Sequence, residues 1–311
     1  MTRDEAGGCD VLGLGAVAID DLLYVASFPP ADSKTPVLRR ERQCGGLTGT
    51  ALVAASRLGA SCRYAGVLGF EEDSAFVVRN FEREGVDHSY LRRRGGARPI
   101  RSTIIIGQED ATRTVFSDRS GFLGPDPSWP EPALIRAAKV LFVDHLGVEG
   151  SIRAARIARE AGRQVVADFE RVSAPEFPVL LDLADHLIVG RRFAAQLTGQ
   201  ANPGEAARAL WRDNRAVVVV TCGAEGCWAL DGPAAGPLHH QPAFPVAAAD
   251  TTGCGDVFHG AYAAALAWGN GLERRLRLAS AAAALKAMRP GGQAGIPDLA
   301  TVSTFLNAHG R

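Results

Sequence analysis

The stretch Ala249-Asp-Thr-Thr-Gly-Cys-Gly-Asp-Val-Phe-His-Gly260 is a glycine-rich turn that runs into an alanine-rich helix. Helix N-termini present unpaired N–H groups and a partial positive charge, so they bind anions. The glycines allow the backbone of Gly253, Cys254 and Gly255 to approach a phosphate closely. Asp256 is negative and unsuited to holding phosphate, but it can take a proton from a hydroxyl beside one. The stretch therefore predicts phosphoryl transfer to an alcohol.

A purely structural interpretation of this stretch is a capped turn, with Asp256 as a favourable acid in the first helical turn. That interpretation accounts for Thr252 and Asp256 separately. It does not account for two glycines that alternate inside the cap, so the functional interpretation is favoured.

Four segments resemble, in the same order, those of the ribokinase-like (PfkB) carbohydrate kinases. The segments are Gly15-Ala-Val-Ala-Ile-Asp20, Gly45-Gly46 with the helix after it, the Asp250–Asp256 turn, and Arg289-Pro-Gly-Gly-Gln-Ala-Gly-Ile-Pro297. The resemblance extends over residues 11–306. It implies a mainly parallel α/β sheet flanked by helices and a kinase that uses ATP and Mg²⁺. Asp256 would then be the general base.

The resemblance also implies site residues. The sugar would be bound by Asp20, Lys34, Gly45, Gly46, Thr50 and Thr103. The nucleotide would lie against Thr221, Gly223, Gly226, Ala283 and Gly292. A metal site for a monovalent cation such as K⁺ would include Asp250 and Thr252, with backbone carbonyls as most of the ligands.

The chain departs from the family at two places. The asparagine that often follows the two glycines is replaced by Leu47, so a sugar contact would move to Thr48 or Thr50. The Asn-x-x-Glu motif that organises the magnesium end is absent, because Gly190 and Phe193 stand at those positions. How magnesium is held is therefore left open.

Apolar strand-like runs alternate with helical segments over most of the chain, for example Val140–Val143 and Ala216–Thr221. Unbroken β-branched runs are typical of parallel strands buried on both faces. The alternation predicts a doubly wound α/β layer. Two regions, at about 20–45 and 97–120, alternate polar and apolar residues, which predicts a small antiparallel sheet. The resemblance identifies this sheet as a lid over the sugar, within one domain of residues 1–311.

Two other functions compete with the kinase. Gly13-Leu-Gly-Ala-Val-Ala18 follows a strand and resembles the dinucleotide fingerprint of a nicotinamide-dependent dehydrogenase. That fold needs a helix next, and Pro29-Pro30 with strand-like sequence after it leaves room for a short one only. The second alternative is a sugar- or nucleotide-binding sensor without catalysis, since Asn-x-x-Glu is missing; Asp256 argues against it.

Composition excludes several other classes. Lys+Arg and Asp+Glu both number 34, so no net charge draws the chain to nucleic acid or membrane. No run approaches the ~20 apolar residues of a membrane helix, and the polar start lacks a signal core, which predicts a cytoplasmic protein. The six cysteines show no Cys-x-x-Cys pair and are expected to be free thiols. His239-His240 has no zinc-ligand spacing around it.

The sugar itself is left open by the sequence. The C-terminal third is most similar to bacterial sulfofructose kinases, and Lys34 stands where such enzymes place a lysine against the sulfonate. Leu146, however, cannot bind an anion, and the lid strands also resemble those of ketohexokinases. A neutral ketohexose and an anionic sugar are both compatible with the residues.

Two further expectations concern assembly and reactivity. An open lid sheet with Val37, Leu38, Ile104 and Ile106 would expose apolar surface and a free edge, which predicts a homodimer through the lid. Relatives usually carry a small residue at the position of Cys254, so one interpretation is a thiol that only fills space. The other is a thiol at a helix N-terminus with a lowered pKa, which would alkylate faster than the other five if the loop is open without ATP, and which ATP and Mg²⁺ would protect.

Overall fold

The computed structural model describes residues 7–109 and 112–310, which form fourteen strands and ten helices. The strands are β1 Val11–Leu14, β2 Ala18–Val25, β3 Arg39–Gly45, β4 Cys62–Tyr64, β5 Val67–Leu68, β6 Arg92–Arg93, β7 Ile100–Gly107, β8 Thr112–Asp118, β9 Val140–Asp144, β10 Gln164–Phe169, β11 His186–Gly190, β12 Val217–Thr221, β13 Cys227–Leu230 and β14 His239–Gln241. The helices are α1 Leu47–Arg57, α2 Glu72–Arg83, α3 Pro132–Ala137, α4 Val148–Glu160, α5 Phe177–Asp182, α6 Arg191–Thr198, α7 Pro203–Leu210, α8 Cys254–Ala267, α9 Leu272–Ala287 and α10 Leu299–Ala308.

An eight-stranded sheet in the order β14-β13-β12-β11-β10-β9-β1-β4 forms the centre of the molecule. The pairs from β4 to β12 are parallel, and β13 and β14 add antiparallel strands at one edge. The β-branched run of β12 is buried along Val217–Val220, as expected for a strand covered on both faces. The predicted doubly wound α/β layer is confirmed.

Side chains of successive sheet residues enter two separate cores. Phe142 and Ile188 pack into one core with residues of α1, α8 and α9, and Leu141 and Leu187 into the other with residues of α4 and α7. This alternation follows from the period of two in a strand. The two helical layers leave the carboxyl ends of the parallel strands as the natural place for a ligand.

A second sheet, which we call the lid sheet, consists of β3, β2, β7 and β8 in that order. Its strands come from the two regions that the sequence marks by alternation. The expectation of a wholly antiparallel sheet was wrong at its centre, because β2 and β7 run parallel. The residues after Gly15 continue into β2 rather than into a helix, which agrees with the rejection of the dinucleotide-binding alternative.

Exposure of the lid sheet differs from the expectation. Val37 and Leu38 are 45% and 59% exposed, but Ile104 is buried and Ile106 packs against the cluster around it. Within the strands of the lid sheet, exposed apolar side chains are found on β8, where Phe116 is 56% exposed. All six cysteines are free thiols, as expected. Across the described part of the chain, no helix has the length and apolar character needed to span a bilayer.

Candidate active site

The anion-binding turn lies where helix α8 begins. Gly253 adopts a left-handed conformation with φ 76°, which favours glycine, and α8 starts at the next residue, Cys254. A Cβ atom on Gly255 would meet no protein atom within 4 Å, so the space beside this turn is open to a ligand. Because the first N–H groups of a helix have no partner within it, the turn suits a phosphate.

Asp250 holds the turn in shape. Its Oδ1 accepts a hydrogen bond from the backbone N–H of Thr252 at 2.8 Å, and its Oδ2 accepts one from Gly291 at 2.9 Å. The N–H of Asp250 donates to the carbonyl of Ala287 at the end of α9. These bonds join the anion-binding turn to the predicted nucleotide loop around Gly292.

Asp256, in the first turn of α8, is half-buried and lies near other carboxylates. Burial, and next the carboxylate of Asp168, raise the pKa of Asp256 well above its usual range. Asp168, at the end of β10, is 3% exposed, and burial followed by Glu170 raises its pKa too. Among the described residues, its Oδ2 has no hydrogen-bond partner. This concentration of negative charge favours a bound cation.

His259 connects the turn to Asp168. Its Nδ1 lies 2.7 Å from the carbonyl oxygen of Gly255, and its Nε2 lies 3.1 Å from that of Ile188 and 3.4 Å from Oδ1 of Asp168. Burial lowers the pKa of His259, which favours a neutral ring. Both ring nitrogens face carbonyl oxygens, and a neutral ring has one N–H; we assign the proton to Nδ1 because its contact is the shorter, which leaves Nε2 without a proton to donate to Ile188.

Asp144, at the end of β9, organises the turn between β1 and β2. Its Oδ2 accepts from the N–H of Ala16 at 2.6 Å and from the hydroxyl of Thr48 at 2.7 Å. A Cβ atom on Gly15 would lie 2.3 Å from the same oxygen, so this position requires glycine. Thr48 therefore serves this internal bond rather than the sugar contact considered from the sequence.

The lid sheet carries Asp20 on the face that turns toward the site. Burial raises the pKa of Asp20, and its hydrogen bond with Ser102 opposes the rise. Ser102 pairs with Asp20 in register, whereas Thr103 pairs with Asp21 and is exposed on the opposite face. The assignment of Thr103 to the sugar was wrong by one residue, since neighbours in a strand face opposite sides. Ser102, rather than Thr103, is the residue on this strand whose side chain forms a hydrogen bond with Asp20.

Gly45 and Gly46 are explained by protein contacts rather than by access for a sugar. A Cβ atom on Gly45 would lie 2.5 Å from Oδ2 of Asp20, and one on Gly46 (φ 87°) would lie 2.6 Å from Cα of Val17. The missing side chain of Gly45 therefore leaves space for the carboxylate of Asp20, which would contact the sugar.

Two other predicted sugar residues lie elsewhere. Thr50 is buried, and its hydroxyl accepts from Nε2 of Gln293 at 3.3 Å, so its contact with the sugar stays a prediction. Lys34 lies in the exposed segment between β2 and β3. Gln43 was missed: it pairs with Asp20 across the lid sheet, and its Oε1 accepts from the N–H of Gly292 at 3.1 Å.

Arg113, on edge strand β8 and on the same face of the lid sheet as Asp20, contacts the anion-binding turn. Its guanidinium donates to the hydroxyl of Thr252 and lies 3.9 Å from Oδ1 of Asp250. Because Arg113 is still partly exposed, it can exchange these partners for a phosphate oxygen. The sequence offered no signal for this contact, which depends on how β8 folds over the turn.

The predicted nucleotide residues lie at the β12 edge of the site. Thr221 ends β12, Gly223 has φ 58° with open space at its Cβ position, and Gly226 requires glycine because a Cβ atom would lie 2.0 Å from the carbonyl of Gln241. The loop closes a hairpin, as the structural interpretation of this segment also expects. Ala283 is half-buried and packs against the core.

The positions of the missing Asn-x-x-Glu motif carry no carboxylate. Gly190 is exposed at the start of α6, and Phe193 is buried against Phe177, with ring centroids 6.1 Å apart. Asp168 is the last residue but one of the neighbouring strand, β10, which pairs with β11. A buried carboxylate is therefore present one strand away from the lost glutamate.

Cys254 differs from its expected chemistry. Burial raises its pKa, and this effect exceeds the lowering by the nearby cation Lys286. The expectation of a lowered pKa was wrong because the thiol is half-buried and lies near Asp250 and Asp256. A helix N-terminus alone does not outweigh desolvation here.

Comparison with known proteins agrees with this geometry. Residues 10–299 match the model of the pfkB family carbohydrate kinases. The chain belongs to this family. A ketohexokinase from Mus musculus is 26% identical over 281 residues, covering 86% of this chain and 92% of its own length. An aminoimidazole riboside kinase from Salmonella typhimurium is 28% identical over 288 residues, covering 85% and 88%.

The fold is shared with solved ribokinase structures. A ribokinase from Arabidopsis thaliana in complex with ribose and ATP superimposes with a TM-score of 0.81 over 96% of this chain and 98% of its own, at 21% identity. At that identity the likeness establishes the ribokinase-like α/β fold alone. This carbohydrate kinase is thus similar to enzymes named for several different sugars and nucleosides.

Proposed function

We propose that this carbohydrate kinase transfers the γ-phosphoryl group of ATP to a hydroxyl of a sugar, with Asp256 as the general base. The observation that carries the proposal is the turn at Gly253, which places the first N–H groups of α8 and the carboxylate of Asp256 within one helical turn. Asp20 in the lid sheet and Gly292 in the nucleotide loop then mark the two sides from which the substrates approach.

The proposed reaction combines a proton transfer to Asp256 with transfer of the phosphoryl group to the sugar oxygen. The sugar hydroxyl gives its proton to Asp256 while its oxygen attacks the γ-phosphorus, and ADP leaves. The raised pKa of Asp256 makes it a stronger base than an ordinary carboxylate once it is deprotonated. The N–H groups of Gly253, Gly255 and Asp256 stabilise the charge on the transferring phosphoryl oxygens, and that of Cys254, which donates to the carbonyl of Thr251 at 3.2 Å, joins them once this bond is exchanged.

Magnesium fits the residues present. Asp168 offers a buried oxygen with no partner among the described residues, beside Glu170 and Asp256. No group of three or more metal-binding side chains is found in the described residues. In nucleotide-dependent enzymes Mg²⁺ is usually bound by only one or two carboxylates together with the phosphates of the substrate. Asp168 and Glu170 would hold the ion, which neutralises phosphate charge when bound.

A neutral sugar suits the lid side of the site best. Asp20 and Ser102 form a set that exchanges hydrogen bonds with hydroxyl groups, and Arg113 is engaged on the phosphate side. A buried carboxylate discriminates strongly against a substrate that lacks the partner hydroxyl. We therefore propose a ketohexose or related neutral sugar ahead of an anionic one.

The test is release of ADP with a panel of ketoses, aldoses, sugar acids, nucleosides and sulfo-sugars. Asp256→Asn should bind ATP nearly as the wild type does, yet lose ~10²–10⁴-fold in kcat. Asp213→Asn, at an exposed position, is the matched control. If the protein binds nucleotide but phosphorylates no member of the panel, it is a sensor rather than a kinase. A wild-type kcat in Asp256→Asn would refute the assignment of Asp256 as the general base.

We further propose that two copies associate through their lid sheets. Strand β8 lies at the edge of the sheet and is exposed along most of its length, with Val115 50% and Phe116 56% exposed. Val37 and Leu38 add apolar surface next to the opposite edge strand. A second copy would cover both the apolar side chains and the strand edge.

A further inference from the structure

Lys286 is a buried lysine beneath the anion-binding turn. It is 0% exposed, although it lies in the alanine-rich part of α9, where neighbouring positions are apolar. Its Nζ donates to the backbone carbonyl oxygen of Asp250 at 2.9 Å. A lysine is almost never fully buried unless its charge is paired, so this ammonium group needs an explanation in the site.

The charged groups around Lys286 are those of the active site. The side chains that act on it are Cys254, Asp250 and Asp256, which favour its charged form, and Arg113, which opposes it. Burial lowers the pKa of Lys286, and the three acidic partners counteract this shift. The ammonium group is thus a positive charge fixed beside the turn that would hold the phosphates.

The oxygen atoms of Asp250 do not fit the monovalent cation that the family resemblance implies at Asp250 and Thr252, because they already have other partners. Such a cation would need backbone carbonyl oxygens, and the carbonyl of Asp250 already accepts from Lys286. Both carboxylate oxygens of Asp250 are also used, by the N–H groups of Thr252 and Gly291. An ammonium group at 2.9 Å from this carbonyl would compete with K⁺ for the same ligand.

We propose that the side chain of Lys286 takes the place of a monovalent cation, so that the enzyme carries its own positive charge and needs no K⁺. The ammonium group holds the Asp250 carbonyl, and through it the turn that presents Gly253 and Asp256. This inference rests on the proposed function for the identity of the anion, since the phosphates of ATP are what the turn would bind. Lys286 is a positioning residue in this scheme.

The first test is the wild-type enzyme in KCl and in tetramethylammonium chloride at the same ionic strength. The affinity for ATP by calorimetry and the kcat for whichever panel sugar reacts are each expected to agree within about twofold, and the Tm is expected to be the same in both salts. A stimulation by K⁺ of about tenfold or more in ATP affinity or kcat would overturn the proposal. This test depends on no variant and so cannot fail through misfolding.

The second test removes the charge. Lys286→Met keeps the length of the side chain and should weaken ATP binding by about ten- to hundredfold, because a charge-assisted bond to the turn is lost. Lys286→Ala leaves space, and K⁺ should raise its Tm and restore part of its ATP affinity, whereas tetramethylammonium should not. Lys139→Met, at a surface ion pair with Asp10, is the matched control and should bind ATP as the wild type does.

The readouts separate this inference from the proposed function. ATP affinity and Tm are measured without sugar, so they test Lys286 even where no panel sugar is phosphorylated. Wild-type ATP affinity in folded Lys286→Met would overturn the role of the lysine while leaving the kinase assignment intact.

Discussion

His259 Nδ1 lies 2.7 Å from the carbonyl oxygen of Gly255, so a side chain inside helix α8 holds the turn at which that helix begins. The same ring lies 3.4 Å from Asp168, the carboxylate with a free buried oxygen. The imidazole therefore sits between the predicted anion hole and the proposed magnesium ligand. Its effect on catalysis would come through the position of Gly255.

His259→Phe is expected to lower kcat by about tenfold, because one hydrogen bond to the turn is lost while the ring volume is kept. The KM for sugar should change by less than about threefold, since Asp20 is untouched. Steady-state kinetics with ADP release would show this split. His309→Phe, at an exposed histidine just after α10, is the control. An equal rise of the sugar KM would place His259 in the sugar site instead.

Asp168→Asn is expected to stabilise the enzyme without ligands at neutral pH. The folded-state pKa of Asp168 is raised, so the folded state binds more protons than the unfolded state, and stability falls as pH rises from about 4 through the raised pKa. Removing the charge should therefore raise Tm by at least ~2–4 °C at pH 8, and by less toward pH 4.

Calorimetric melts of both proteins from pH 4 to pH 8 would test this sign. Binding of Mn²⁺, followed by electron paramagnetic resonance, should weaken by about 10- to 100-fold in the same variant if Asp168 holds the metal. Asp182→Asn, at a position outside the site, should change neither quantity. A variant that melts below the wild type at pH 8 would contradict the account of Asp168 as an unpaired buried carboxylate.

The elements of the fold were predictable because they depend on local pattern. The β-branched run at Val217–Val220 and the glycine-rich turn at Gly253 determine a buried strand and a helix start within a few residues. Asp256 lies inside the first turn of α8 rather than at the end of the loop, and Asp20 lies inside β2. The parallel pairing of β2 with β7 was not predictable in this way, since it joins segments distant in sequence.

The residues that sequence reasoning missed are those whose role depends on contacts across the fold. Arg113 reaches Thr252 over a separation of 139 residues, and Lys286 reaches Asp250 over 36. Asp168 alone offered a usable signal, because an aspartate near the end of a buried parallel strand lies at the ligand-binding edge. Thr103 shows the opposite case, in which a register error of one residue moves a side chain to the other face.

Arg113→Ala is expected to reduce kcat/KM for ATP by about ten- to hundredfold, because a charged group that can meet a phosphate oxygen is removed. The sugar affinity measured without nucleotide should stay within about twofold. The comparison needs kinetics with varied ATP and calorimetry with sugar alone. Arg40→Ala, exposed on the opposite face of the lid sheet, serves as the control. Equal losses in both variants would assign the effect to the charge of the lid sheet as a whole.

Cys254 should react slowly with iodoacetamide at pH 8, and its rate should still be rising at pH 9, because burial raises the pKa of its thiol. Cys222, the other partly exposed cysteine, also has a raised pKa and is the internal reference. Peptide mapping after limited labelling between pH 7 and pH 10 measures both rates. Labelling of Cys254 that levels off below pH 8 would mean that the helix N-terminus outweighs desolvation after all.

Phe116→Lys is expected to weaken the proposed dimer by at least about tenfold, because an exposed aromatic side chain on edge strand β8 is replaced by a charge that edge strands use against pairing. Light scattering at micromolar concentration should give twice the 32.8 kDa protomer mass for the wild type and a lower mass for the variant. Phe70→Lys is the matched control, since Phe70 is 74% exposed but lies after β5, outside the lid sheet. A wild-type protein that is monomeric at this concentration, or a Phe70→Lys variant that dissociates as readily as Phe116→Lys, would rule out the lid sheet as the interface.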